Sequence, residues 1–426
     1  MLELGILADD LTGGMMVASL LEREGIECPL VSSIEALADI SPSASAVVVA
    51  RKIRLVDSVA AMNEGKQTVE ALKKVGCKRF YYKYCATFDS TEKGNIGPIA
   101  EAMLSASGGR QTLFCPAFPV HTVTVFQGMM FIGSQPLGQS FKQFDPVTPM
   151  LNSNLVEVLQ SQTASKVGLL SHNLLQRGRQ AFDAYLTQPD AAKLFIADAA
   201  DDYDLERIAE YALDWPLTTG ADALPIFLAR AWQARKSSYS QRTPKSLLPA
   251  SPGFEAFIAG SCASATLKQI EQFETRHPVF RIDLLAAKND PAYVSKILLW
   301  AQDYLHHQPI AVTSSADANE LKRTQSALGR DGAAGLADRI LGQVGEGLFN
   351  LGVRKFVIAG GETSGQVINA LGIKKVEVSV FDELGGGYCH RGGEHPVSFI
   401  LKAGMLGQPD FCFTAFDRMR LAEKSQ

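Results

Sequence analysis

No stretch of this 426-residue chain approaches the ~18–20 consecutive apolar residues that a membrane-spanning helix needs, so no membrane partner is expected. The first residues, Met1 to Leu7, carry no basic flank and meet Asp9-Asp10 before a hydrophobic segment could form, so no secretory signal is expected. An excess of positive charge is missing too. With 41 basic against 45 acidic side chains the formal charge is −4, and no basic stripe marks a nucleic-acid partner. Cysteine is sparse, odd in number at seven, and never spaced Cys-x-x-Cys. That pattern excludes a disulfide frame and points to reduced thiols, a cytoplasmic location and no metal site. Also missing are Gly-x-x-x-x-Gly-Lys-Ser/Thr and Gly-x-Gly-x-x-Gly, the fingerprints of P-loop and dinucleotide folds.

What is present is a globular balance, 46% hydrophobic and 20% charged, in a chain long enough for two or three domains. Short apolar runs alternate with longer amphipathic ones. Gly5–Ala8, Ala46–Ala50, Arg79–Tyr84 and Gln111–Ala117 read as strands, and Thr12–Glu24, Leu55–Val75 and Ile96–Ser107 as helices stopped by Gly25 and Gly76 where they end. Phe118 to about Thr163 shows no period and reads as an excursion or small subdomain. Lys236 to Pro252 is rich in Ser and Pro, a linker by composition. Alternation then resumes. Strands are expected at Phe254–Gly260, Val279–Leu284, Pro309–Ser314, Lys355–Gly360, Val376–Phe381 and Val397–Lys402, and helices at Ala263–Arg276, Ala292–His307, Gly335–Gly352 and Ser364–Leu371. The fold class is α/β, with two domains of mostly parallel sheet: 1–240, a linker at 241–253, and 254–426.

Open parallel sheets bind ligands beyond the carboxyl ends of their strands, so the residues just after each strand carry the information. In the first half these are Asp9-Asp10-Leu11-Thr12, Lys52, Arg54, Asp89 and Ser90. A carboxylate at Asp10 could take the proton of a substrate hydroxyl, and Lys52 and Arg54 could pair with a substrate carboxylate. An acidic helix cap accounts equally well for one of the two aspartates. In the second half they are Gly260-Ser261-Cys262, Thr313-Ser314-Ser315 and Gly360-Gly361-Glu362-Thr363-Ser364-Gly365, a set that suits phosphate oxygens at helix N-termini. Ordinary turns and caps are the competing explanation for Gly260-Ser261. His306-His307 are expected to cap a helix, and Cys85, Cys115 and Cys262 to be buried thiols.

Several motifs resemble the four-carbon acid sugar kinase family. Ala8 to Gly14 is similar to its N-terminal signature. Tyr82 to Thr91 with Gly94-Asn95-Ile96-Gly97 resembles its second motif, as typical of the 3-oxo-tetronate kinase branch, and Cys115 to Pro119 with Gln127-Gly128 its third. Ala259 to Cys262, Gly360 to Gly365 and Leu401 to Gly404 resemble its nucleotide-binding motifs. The resemblance implies an acid-binding first domain, an ATP-binding second domain and an active site in the cleft between them. It implies transfer of the γ-phosphoryl group of ATP, with Mg²⁺, to the terminal hydroxyl of a small sugar acid. Asp10 would be the base. Asp9, Lys52, Arg54, Asp89 and Ser90 would hold the acid, and Ser261, Gly360, Gly361, Glu362, Thr363, Ser364 and Gly404 the nucleotide. A homo-oligomer is compatible with it. Three positions depart from the family pattern: Met16 stands where an aspartate is usual, Val123 where an arginine is, and Gly385 to Cys389 replaces a Pro-Gly-Val-Pro loop. The departures imply a different acid, such as a branched 3-oxo-isoapionate, or a binding protein of the same fold with weak or no turnover.

Overall fold

The computed structural model describes residues 2–145, 148–235, 242–380, 386–404 and 406–424. The chain forms two compact units, one ending at Thr243 and the other beginning at Pro244.

Among the described residues, eleven strands lie in the first unit: β1 (Leu4–Ala8), β2 (Leu30–Val31), β3 (Ala46–Ala50), β4 (Arg79–Lys83), β5 (Thr112–Cys115), β6 (Val123–Phe126), β7 (Met129–Ile132), β8 (Gln135–Pro136), β9 (Val167–Leu170), β10 (Leu194–Ala197) and β11 (Leu217–Gly220). Eight of them run parallel in the order β2-β3-β1-β4-β11-β5-β10-β9. Both β1 and β3 are buried along their whole length, as continuous apolar runs flanked by helices should be. From β1 the chain passes to β2 and β3 on one side, and β4 returns on the other. That reversal makes the carboxyl ends of β1 and β4 the natural ligand crevice of this sheet. The aperiodic region holds the antiparallel sheet β6-β7-β8, followed by a helix at Leu155–Gln160. Its strands are short and its turns frequent, so no period of two builds up in the sequence.

Among the described residues, seven strands lie in the second unit: β12 (Phe254–Ala259), β13 (Val279–Arg281), β14 (Ile310–Thr313), β15 (Val353–Ala359), β16 (Lys375–Val378), β17 (Gly386–Arg391) and β18 (Val397–Lys402). Their order is β13-β14-β12-β15-β18-β17-β16, parallel except for β17, which is antiparallel to both of its neighbours. Here the reversal falls between β12 and β15. The core packs Phe257, Ile270, Phe273, Val357 and Ile400 against Phe411, Ala415, Phe416 and Met419 of a final helix, Phe411–Lys424.

Four expectations need correction. The run expected to be a strand as far as Leu284 stops at Arg281, because Asp283 caps a short helix, Leu284–Lys288, through the N–H groups of Leu285 and Ala286. A helix at Ala318–Leu328 precedes one that begins at Arg330, well before Gly335. Both β17 and the final helix lie where no element was expected. The strand expected over Val376–Phe381 ends at Val378, and Phe381 and Gly385 lie outside the described residues. Of the expected linker, 236–241 also lie outside them. Arg242 pairs with Glu22 of the first unit, and from Pro244 on the linker is fastened to the second. Leu248 is in that core, Ser379 Oγ donates to the Lys245 carbonyl at 2.9 Å, and Ser251 Oγ bonds Ser398 Oγ at 2.9 Å and His390 Nδ1 at 3.2 Å.

Candidate functional site

At the carboxyl end of β1, Asp9 and Asp10 take unlike positions. The Arg54 guanidinium donates to both oxygens of Asp9, from Nε at 2.9 Å and Nη2 at 2.8 Å, and Nη2 also contacts Asp10 Oδ2. Asp9 is 2% exposed, whereas 29% of the Asp10 side chain meets solvent. Asp10 caps the helix Leu11–Arg23, its Oδ1 accepting the Gly13 N–H at 2.5 Å. Neighbouring β4 contributes Lys83, whose Nζ donates to the Tyr84 carbonyl at 2.7 Å and pairs with Asp222 at 3.4 Å. Gly13 lets that ammonium approach, since a side-chain carbon there would sit 3.0 Å from Lys83 Nζ and 3.2 Å from Asp10 Oδ1.

Burial by itself would raise both carboxyls. For Asp10 the Arg54 and Lys83 cations and the Gly13 N–H outweigh burial, and its pKa is lowered. For Asp9, burial wins over Arg54 and the pKa is raised. Arg54 Nη1 takes part in no hydrogen bond among the described residues, and a quarter of the side chain is exposed. Asn95 fixes the loop that carries Arg54, its Nδ2 donating to the carbonyls of Ile53, Arg54 and Val56.

Asp89 and Ser90 belong to an adjoining cluster. The Asp89 Oδ1 accepts from Thr87 Oγ1 at 2.5 Å and from the buried Lys142 Nζ at 2.7 Å; that ammonium also bonds Asp145 at 2.8 Å. Ser90 Oγ accepts from Gln162 Nε2 at 2.7 Å, while Gln162 Oε1 receives the Gly97 N–H at 2.9 Å. Cys85 lies between the clusters, its thiol pushed up to about 11 by burial and then by Asp89. Lys52 is exposed on the loop before Arg54. The Gln127-Gly128 turn is pinned by Asp198, which accepts the Gln127, Gly128 and His172 N–H groups at 2.8, 2.9 and 2.9 Å. Val123 is buried in β6, and Met16 half-buried in the first helix.

In the second unit, the glycines after β12, β15 and β18 converge. Gly360 adopts φ +119° and caps the helix Gly361–Ala370, a conformation open to glycine at little cost. A side-chain carbon on Gly260 would strike Thr363 Oγ1, and one on Gly404 would strike Ser261 Oγ. Ser261, Thr363 and the three glycines therefore form one cradle. Thr363 and Ser364 are buried, and Ser364 Oγ donates to the Gly360 carbonyl at 2.8 Å. Gly361 and Glu362 are exposed on the helix's first turn. A further helix, Ser264–Glu274, starts just beyond Ser261. Two helix starts, at Ser264 and Gly361, meet this cradle, and helix starts suit anionic oxygens.

Sequence reasoning assigned no role to Lys83, Asp222, Lys142, Gln162 or Lys402, although Lys83 and Lys402 fall inside motifs it quoted. Lys83 and Lys402 each end an otherwise buried strand, a mark that a solvated strand exit would leave as well. Asp222 follows β11, a strand not expected, and Lys142 and Gln162 fall in the aperiodic region.

Residues 4–226 match a sugar-binding N-terminal domain and residues 256–412 a nucleotide-binding C-terminal domain. The chain is 38% identical to the 3-oxo-tetronate kinase of Burkholderia multivorans, over 96% of this chain and 95% of that one. It is 36% identical to that of Cupriavidus necator, over 96% and 95%. Its fold is similar to a Salmonella typhimurium LT2 protein provisionally described as a tRNA synthase (29% identity, TM-score 0.82, covering 97% of this chain and 99% of that). A Haemophilus influenzae protein of the DUF1537 family is also similar (29% identity, TM-score 0.74, 97% and 99%). The chain belongs to the four-carbon acid sugar kinase family.

Proposed function

We propose that this enzyme, an ATP-dependent sugar-acid kinase, phosphorylates the terminal hydroxyl of 3-oxo-tetronate or of a closely related four-carbon or branched oxo acid such as 3-oxo-isoapionate. The observation that carries this reading is the division of work between the two aspartates. Asp9 is buried and spent on Arg54, while Asp10 is accessible and kept ionised by Arg54 and Lys83. Asp10 takes the hydroxyl proton as that oxygen attacks the γ-phosphorus of ATP; the bond to the β-phosphate oxygen breaks and ADP leaves. The free Nη1 of Arg54, with Lys52, receives the acid's carboxylate, and Asp89 and Ser90 border its hydroxyls. Ser261, Gly360, Gly361, Glu362, Thr363, Ser364 and Gly404 hold the nucleotide. Among the described residues no three His, Cys, Asp or Glu side chains gather as a metal set. Mg²⁺ would arrive on the ATP phosphates and would neutralise charge on the transferred group.

ADP release measured over a panel of four-carbon and branched five-carbon oxo and hydroxy acids tests the proposal. The highest kcat/KM is expected for a 3-oxo acid. Binding of acid and ATP with no ADP formed anywhere on the panel would overturn it in favour of a binding protein.

A further inference from the structure

Four lysines of the described residues are buried: Lys83, Lys142, Lys355 and Lys402. Three of them have carboxylates for partners. Lys83 pairs with Asp222, Lys142 with Asp89 and Asp145, and Lys355 with Glu423 and Glu255. Lys402 has none among the described residues. Its Nζ donates to neutral oxygens only, Thr266 Oγ1 at 3.0 Å and the carbonyls of Ala403 and Gly404 at 3.0 and 3.2 Å, and lies 5.9 Å from the centre of the Phe411 ring. An ammonium taken out of water without a counter-charge is costly, and folded chains either pair it or leave it out. Lys402 ends β18, and two residues further Gly404 packs on Ser261 in the cradle described above. The Gly404 carbonyl it holds is also held by Thr266 Oγ1 at 2.8 Å, so the ammonium braces one wall of that cradle.

We propose that Lys402 is a positioning residue whose missing counter-ion is the polyphosphate of the bound nucleotide: it fixes the Ala403-Gly404 turn and supplies the buried positive charge that the phosphates neutralise. The inference rests on the reading of this cradle as the nucleotide site. Its three N–H donors are already engaged, so it acts through the turn and through its field and does not need to touch a phosphate. The groups around it leave the charge unopposed. Ala359 and Gly386 are its ladder neighbours on β15 and β17, Thr266 faces it from the helix Ser264–Glu274, and Phe411 and Cys412 from the final helix. Of these only Cys412 titrates, and burial pushes that thiol far up, leaving it neutral. Burial lowers the Lys402 ammonium to about 8. An anion brought beside it favours the charged form, so binding of ATP near pH 8 should draw a proton from solution, and ATP affinity should fall as pH rises past 8.

Titration calorimetry of the whole protein with ATP and excess Mg²⁺ at pH 8, in two buffers of different ionisation enthalpy, measures this directly. Wild type should take up a fraction of a proton approaching one half, since the group is near half-protonated there. Lys402→Met should take up none and bind ATP at least tenfold more weakly, with the Michaelis constant for the acid little changed. The wild-type uptake needs no variant, so misfolding of Lys402→Met would not blunt the test. Tight ATP binding with no uptake and a flat affinity from pH 7 to 9 would overturn the role of Lys402 alone. Failure of ATP to bind at all would overturn the nucleotide reading and this inference together.

Discussion

Two adjacent aspartates of one sequence motif have opposite electrostatics because one faces inward and one caps a helix. On the proposed reading, Asp10→Asn should keep the cap and the fold but remove the base, and the rate should fall ~10²–10⁴-fold, the usual worth of a positioned base. Asp9→Asn leaves Arg54 its contact with Asp10 but not its buried carboxylate partner, and should instead lower stability, read by urea unfolding. If Asp10→Asn turns over at near wild-type rates, Asp10 is not the base. The sign of the pH dependence follows from the lowered pKa of Asp10. The base remains ionised as pH falls through the ordinary carboxylate range, so kcat/KM for the acid at saturating ATP should stay level down to about pH 5. An acid limb near pH 6.5 would point to a histidine instead. The Asp-Asp pair was legible because motif and strand end coincide. Lys83 was not, because a lysine at a strand end reads equally well as a solvated exit, and only the three-dimensional neighbours Asp222 and Asp10 show that it is buried.

Elements legible from sequence are those in which the hydrophobic period is long and the ends are marked. The helix Ile96–Ser107 was expected with both of its ends, and Gly25 and Gly76 do adopt the left-handed conformation expected of helix stops. The strand β17 was missed because its sequence, Gly386-Gly-Tyr-Cys-His-Arg391, is half glycine and charge and is made a strand by its neighbours on both sides. Its His390 is buried and shares hydrogen bonds with Ser251 and Ser398, and burial lowers its pKa from 6.5. Below that value the unfolded chain gains a proton that the native chain refuses, so stability drops as pH falls from about 6.5 towards the lowered native pKa. His390→Gln should therefore lose less melting temperature than wild type between pH 7 and pH 5. An identical drop in both would show that His390 contributes nothing to the acid sensitivity.

Across the whole molecule, the same architectural device appears twice. Each unit has a sheet with a point where successive connections leave in opposite directions, and each candidate site lies at the carboxyl ends there, β1 and β4 in one unit, β12 and β15 in the other. What differs is the chemistry placed there: paired carboxylates and cations in the first, glycines, hydroxyls and helix starts in the second. That contrast is visible in the sequence, whereas Lys83, Lys142 and Lys402, the lysines buried beside these groups, were given no role by it. The claim on which the account rests is that the acid and the triphosphate are held by different units. Hydrogen exchange of the intact protein, read with a non-hydrolysable ATP analogue alone and with the acid alone, tests it most directly. The nucleotude-side prediction is protection at Gly360–Gly365 and Lys402–Gly404, and the acid should protect Asp9–Gly14 and the loop bearing Arg54. Protection of the Asp9–Gly14 turn by the nucleotide analogue, with none at Gly360–Gly365, would contradict the account.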